Sequence, residues 1–288
     1  MKKTFFYISL GILSLAFVSC EKVIDIDMPK HETLVYVDGF ITNKPGTQSI
    51  KLLQSTDYLS SSQPQPVTGA TITVTDLTNS SVYNFVYLNG SYNYTPAGPT
   101  TIGVIGHQYK LSITYNGATF EALDELKRVP AIDSITYEFK KESGDKKEGY
   151  YAKFYATDIK GATDYYWIRT FKNGVRNANV MDQYSIDGSF DADISDGFEF
   201  IYPIREGITA NDKPYIKGDV VKVTLRSLSH GTYDFIDKAL NQIANGGLFA
   251  RVLENVPSNI VNKTAGNSLK IYGWFGTVGE SELSRTIQ

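Results

Sequence analysis

The chain has one cysteine, Cys20, in 288 residues, so no disulfide can form within it and a covalently stapled fold is excluded. It has three histidines, His31, His107 and His230, and none pairs with another at the spacing of a helical zinc site. His31-Glu32 begins like a metalloprotease motif, but position 35 is Val and the second ligand is missing. Basic residues are not in excess: the formal charge is −3. Without clusters of Lys and Arg the chain lacks the phosphate-contacting surface that nucleic-acid binding needs. Past the N-terminus no apolar run approaches the roughly 20 residues of a spanning helix. The nucleophile elbow, the Walker loop and the dinucleotide fingerprint are all missing, so acyl transfer and nucleotide chemistry lack their usual residues. A triad or carboxylate pair built from distant positions stays open, because sequence alone does not reveal that geometry. No catalytic residue, metal or cofactor is called for.

The one apolar run, Phe5 to Val18, follows Lys2 and Lys3 and ends at Ser19-Cys20. A basic start, an apolar middle and a small residue before cleavage are the parts of a signal peptide, here residues 1–19. Leu15 to Cys20 resembles a lipobox, so Cys20 is the expected lipidation site and residues 20–32 a tether. Several acyl chains on one residue hold a protein at a membrane stably, at about 0.8 kcal/mol per buried methylene. Glu21 in place of Asp, by its resemblance to lipoprotein sorting signals, favours the outer membrane. The cell surface is the expected side, with the periplasmic face as the alternative. Removing Lys2 and Lys3 with the leader leaves 26 basic residues against 31 acidic ones, a formal charge of −5.

What is plentiful is aromatic and turn-forming: 20 Tyr, 15 Phe and 24 Gly, a composition that suits pleated surfaces. Short alternating runs fall at Leu34–Phe40, Gln48–Leu53, Ala70–Asp76, Ser81–Leu88, Ser91–Tyr94, Gln108–Tyr115 and Ala118–Leu123. Asn89-Gly90 and Asn116-Gly117 between such runs are strong hairpin signals. The fold class read from this is mainly β, with an N-terminal immunoglobulin-like or prealbumin-like β-sandwich over residues 33–129. Val129-Pro130 then interrupts the pattern, which places a domain boundary there. A second β-rich domain over 130–288 begins with Ile132–Lys140, Tyr150–Thr157 and Tyr165–Phe171, turns at Asn173-Gly174, and continues with Asp219–Leu225. One helix near 230–245 is expected, capped by Ser229 and stopped by Gly246. Its apolar stripe is Phe235, Ile236, Ala239, Leu240 and Ile243. Leu269–Val278 reads as a buried aromatic strand.

Two polar segments carry candidate sites. Asp191, Asp193 and Asp196 could offer oxygen ligands to Ca²⁺ from a tight loop, but the EF-hand register fails, because Asp196 stands where that loop needs Gly and Tyr202 where it needs Glu. A solvated turn is the preferred reading. Asp133-Ser134-Ile135 resembles a short O-glycosylation acceptor, with a capped strand start as the equal alternative for Ser134. Tyr165, Tyr166 and Trp167 could form an aromatic sugar platform, but strand alternation sends Tyr166 to the opposite face from the other two, which favours core packing.

The acids behind Cys20, Leu228-Ser229 ahead of Tyr233-Asp234-Phe235, Pro257-Ser258-Asn259-Ile260, and Gly273-Trp274-Phe275-Gly276 together resemble the domain-of-unknown-function family 4249 of Bacteroidota lipoproteins. The resemblance runs over nearly the whole mature chain and departs from the family pattern at Val261–Ser268. It implies a non-enzymatic accessory to a TonB-dependent receptor, at work in substrate capture or uptake at the cell surface. It brings no catalytic residues with it, so the motifs are read as fold markers: Asn259 as a backbone cap or turn, Trp274 and Phe275 as core. An extracytoplasmic hydrolase of polysaccharide or protein, and a scaffold or adhesin, are the competing expectations.

Overall fold

A computed structural model describes residues 33–57, 60–192, 195–245 and 254–288. The expected signal peptide, Cys20, the tether and His31 lie outside the described residues. The N-terminal strands are β1 (Val35–Thr42), β2 (Gln48–Gln54), β3 (Thr71–Asp76), β4 (Ser81–Leu88), β5 (Ser91–Tyr94), β6 (Gln108–Tyr115) and β7 (Ala118–Glu125). They form two layers, β1-β2-β5 and β3-β6-β7. Strand β4 turns the corner between them, pairing with β3 through Ser81–Phe85 and with β5 through Val86–Leu88. Alternate side chains from both layers, among them Ile41, Ile50, Val74, Leu111, Ile113 and Phe120, fill the first core. The arrangement is sandwich-like.

The Asn-Gly hairpins close as their residues require, that of Asn173 and Gly174 between β10 and β11 included, at φ 53° and 81°. Asn89 and Gly90 take φ of 52° and 87°, and Asn116 and Gly117 take 46° and 75°, the doubly positive pair of a type I′ turn.

The second half contributes β8 (Ile132–Lys140), β9 (Gly149–Ala156), β10 (Tyr165–Lys172), β11 (Val175–Arg176), β12 (Gln183–Ile186), helix α1 (Tyr202–Glu206), β13 (Val220–Leu228), helix α2 (His230–Ala244), β14 (Val261–Asn262) and β15 (Ile271–Thr286). Strands β8 and β9 make a separate two-stranded sheet. Its inner face, with Ile135, Ala152 and Phe154, meets Tyr166, Ile168, Val221, Val223 and Leu225 of β10 and β13 in a second core. Helix α2 lies on the other face of β10-β13-β15, where Ile236 packs with Leu228 and Val278.

Thr33–Gln288 forms one compact unit. Strand β15 is the reason, since it pairs parallel with β1 through Ile271–Val278 and antiparallel with β13 through Gly279–Thr286. The expected boundary at Val129-Pro130 falls where one core gives way to the other. Ile260, Ile271 and Phe275 nevertheless return to the first core.

Two expectations need correction. The last strand does not stop at Val278 but runs to Thr286. The α2 stripe is buried only in its first half: Ile236 is covered, whereas Leu240 and Ile243 are exposed. Asn245 is the C-cap residue; Gly246 lies outside the described residues.

Candidate functional site

Two connections meet at a group of buried carboxylates. Asp158 follows β9, Asp164 precedes β10 and Asp187 follows β12. They are 4%, 6% and 1% exposed, and one carboxylate oxygen from each lies within 4.8 Å of the others. Asp187 sits at φ 51°, a left-handed turn that lets its backbone N–H donate to the Asp164 carbonyl at 2.8 Å. In return, the Asp164 N–H donates to Asp187 Oδ1 at 2.6 Å. The Tyr166 hydroxyl donates to Asp158 Oδ1 at 2.5 Å and the Gly197 N–H to Asp158 Oδ2 at 2.9 Å. Arg128, from the β7–β8 connection, donates Nε and Nη2 to Asp164 Oδ2 at 2.9 and 2.7 Å. The same guanidinium also donates to the Ile159 and Lys160 carbonyls.

Burial raises the Asp164 carboxyl above the ordinary range while Arg128 pulls it down, and burial raises Asp187 as well. A hard cation wants several free carboxylate oxygens. Here both oxygens of Asp158 and of Asp164 already accept from donors of the chain. Arg128 supplies the positive charge, and the group acts as a latch that ties the 157–164 and 187–200 connections to β7. A cavity of about 450 Å³ opens over this latch, bounded by Arg128, Asp164, Tyr165, Ile105 and His230.

A larger cleft, about 570 Å³, lies between the end of the β8–β9 hairpin, helix α1 and the loop after it. Pro203 at the start of α1 presets the backbone for a helical turn. The turn presents Tyr202 outward, 52% exposed. Lys153 and Arg205 approach that ring at 5.7 and 6.0 Å from its centroid and restrict its orientation. A hydrogen bond with Glu206 raises the Tyr202 phenol above its ordinary value. Across the cleft Lys140 and Lys146 flank the Tyr151 ring at 5.4 and 5.7 Å. The Tyr151 hydroxyl donates to the Lys147 carbonyl at 2.7 Å and can also reach that of Asn211 at 3.1 Å, pinning the hairpin to the 207–212 loop. Thr209 adds a second pin by accepting from and donating to the Ala152 backbone. The walls are thus pinned by hydrogen bonds between the hairpin and the 207–212 loop, with Tyr202 half-exposed at the cleft.

Two of the three calcium candidates lie among the described residues. Asp191 is exposed, with its backbone N–H donating to Ser189 Oγ. Asp196 accepts from the Gly161 N–H at 2.8 Å beside the latch, and Asp193 lies outside the described residues. The acids that do meet include Asp158 and Asp164, which belong to a different connection and carry no local motif. Ser134 lies half-buried on β8 next to an irregularity in its pairing. Tyr166 enters the second core while Tyr165 and Trp167 face α2, so these rings are packing residues.

The short motifs converge instead on β15. Ser258 Oγ donates to the Gly273 carbonyl at 2.9 Å. The Asn259 side chain donates to the Phe275 carbonyl at 2.7 Å and accepts from its N–H at 3.0 Å, the pairing of a strand neighbour made by one amide. Trp274 stacks on Phe235 at 4.7 Å and donates Nε1 to Thr232 Oγ1 at 2.9 Å. Asn259 is therefore a clamp on the last strand rather than a cap or turn, and Phe275 is fully buried as expected.

A family model described as Domain of unknown function (DUF4249) matches residues 21–284. No curated protein matches the chain.

Proposed function

This chain belongs to the DUF4249 family, and from that premise we propose that it is a non-enzymatic accessory to a TonB-dependent receptor. It is held at the outer-membrane surface by lipid on Cys20 and works in substrate capture or uptake. The observation that carries this reading is the open cleft beside Tyr202. Its volume of about 570 Å³ falls within the roughly 300–1,000 Å³ of small-ligand sites. Its lining brings Lys140, Lys146, Glu206 and Asp212 round Tyr202, with Glu206 3.9 Å from Lys140, a set of polar groups suited to positioning a ligand. The apolar leader ending at Ser19-Cys20 supports the anchor. Cys20 precedes the first strand residue, Val35, by 15 positions. Chain of that length spans at most about 50 Å, reach enough for the folded body to meet a neighbour in the same membrane.

Crosslinking in intact cells, followed by identification of the captured proteins, tests the proposal. A TonB-dependent receptor should be recovered with the wild-type protein and lost with Cys20→Ala, which should also leave the membrane fraction. Recovery of the protein alone, or of partners with no transport role, would count against it.

A further inference from the structure

The cleft beside α1 is balanced in charge. Lys140 and Lys146 enter from the β8–β9 hairpin, Glu206 and Asp212 from α1 and the loop beyond. Lys140 is already committed to Glu138 at 2.9 Å, so an incoming anion would meet a neutralised cation with carboxylates beside it. An incoming cation would meet two ammonium groups. Neither sign of charge gains much, and a neutral ligand pays the smallest electrostatic cost. Tyr202 is half-exposed on the cleft, with Lys153 and Arg205 5.7 and 6.0 Å from its ring centroid, and the rest of the ring is available to a ligand. Asn211, exposed on the same cleft, donates Nδ2 to Asp145 Oδ2 at 2.7 Å, which leaves its carbonyl oxygen to accept. Glu206 adds acceptors, and the Lys146 ammonium adds donors.

A neutral ligand that has one C–H face for a ring and an edge of groups that both donate and accept is a pyranose sugar. We infer that this cleft binds a neutral carbohydrate, a mono- or disaccharide unit of a longer glycan, stacked on Tyr202 and hydrogen-bonded to Asn211 and Glu206. The inference rests on the reading of the protein as a substrate-capturing accessory, and it names the substrate class.

The test uses the full-length protein, purified in a detergent without a sugar headgroup. It is applied to an array of neutral oligosaccharides of glucose, mannose, xylose and N-acetylhexosamines, with sialylated and sulfated glycans and a dipeptide set alongside. At least one neutral glycan should bind. Tyr202→Ala should weaken that binding about tenfold or more, and Tyr202→Phe, which keeps the ring, should stay within about threefold. Tyr202 is half-exposed on a short surface helix, so an unchanged circular dichroism spectrum will certify the variants. Binding of no neutral glycan, preference for the charged probes or dipeptides, or binding indifferent to Tyr202→Ala would overturn the inference. Receptor crosslinking is read separately on the same variants. A receptor captured without glycan binding sinks only the substrate class, whereas glycan binding without a receptor sinks only the accessory role.

Discussion

Asp124 shows how far a single residue can depend on distant chain. It lies one residue before the end of β7, half-buried, and its Oδ2 accepts from the Thr277 N–H at 2.7 Å and from the Thr232 hydroxyl at 3.1 Å. Burial raises its carboxyl above the ordinary 3.8, although donors from Ser229, Thr277, Glu125 and Thr232 pull the other way. The unfolded chain therefore releases this proton at lower pH than the folded one. The stabilisation tied to the proton is complete below about pH 4 and is lost as pH rises through the raised folded value. Asp124→Asn keeps an acceptor and carries no charge. Urea denaturation of this variant between about pH 4 and 7 should show a smaller fall in midpoint than wild type; identical slopes would refute the account. Nothing near Asp124 in the sequence announced this, because Thr277 is 153 positions away. Asp158 and Asp164 were missed for the same reason: Arg128, which binds Asp164, and Gly197, which binds Asp158, lie in other connections.

At the scale of elements, the hairpins were legible and the last strand only in part. Asn-Gly between alternating runs demands two positive φ angles, a local requirement that tertiary context rarely overrides. Strands β11 and β14 are two residues long, too short for any period to register. Beyond Val278 the run Gly279-Glu280-Ser281-Glu282 looks like a turn in sequence. In the fold its acids face Arg226 and Lys222 across β13, which is what makes a polar strand tolerable. Where β15 crosses β1, Gly273 has φ 95° and a Cβ there would overlap the Val37 backbone. Gly273→Ala should cost about 2–3 kcal/mol in urea denaturation, from strain and overlap together. Gly218→Ala, at φ 91° with open space around it, carries the strain alone and should cost about 1 kcal/mol. Equal costs would show that close approach to β1 is not what reserves position 273 for glycine.

For the whole molecule the question is whether two cores behave as one. The sequence break at Val129-Pro130 suggests two domains, but β15 completes both sides, and Ser227 Oγ donates to the Lys127 carbonyl at 2.8 Å across the junction. Loss of β15 would take a hydrogen-bonded neighbour from β1 in one half and from β13 in the other. Native-state hydrogen exchange should therefore find the slowest amides of β6, such as Leu111, and of β9, such as Phe154, opening with free energies that agree within about 1 kcal/mol. A gap of several kcal/mol would mean that the two cores unfold independently.

The sequence by itself determined the positions of the longer strands up to Val278, the Asn-Gly turns, the capped helix and the family, because each depends on residues that are neighbours along the chain or on short motifs. Tertiary structure alone decided that β15 belongs to both halves, that Asn259 clamps it, that Arg128 gathers the buried acids, and that Tyr202 faces an open cleft. Those outcomes depend on which surfaces are left uncovered once the sheets close, and local periodicity holds no record of residues brought together from far apart.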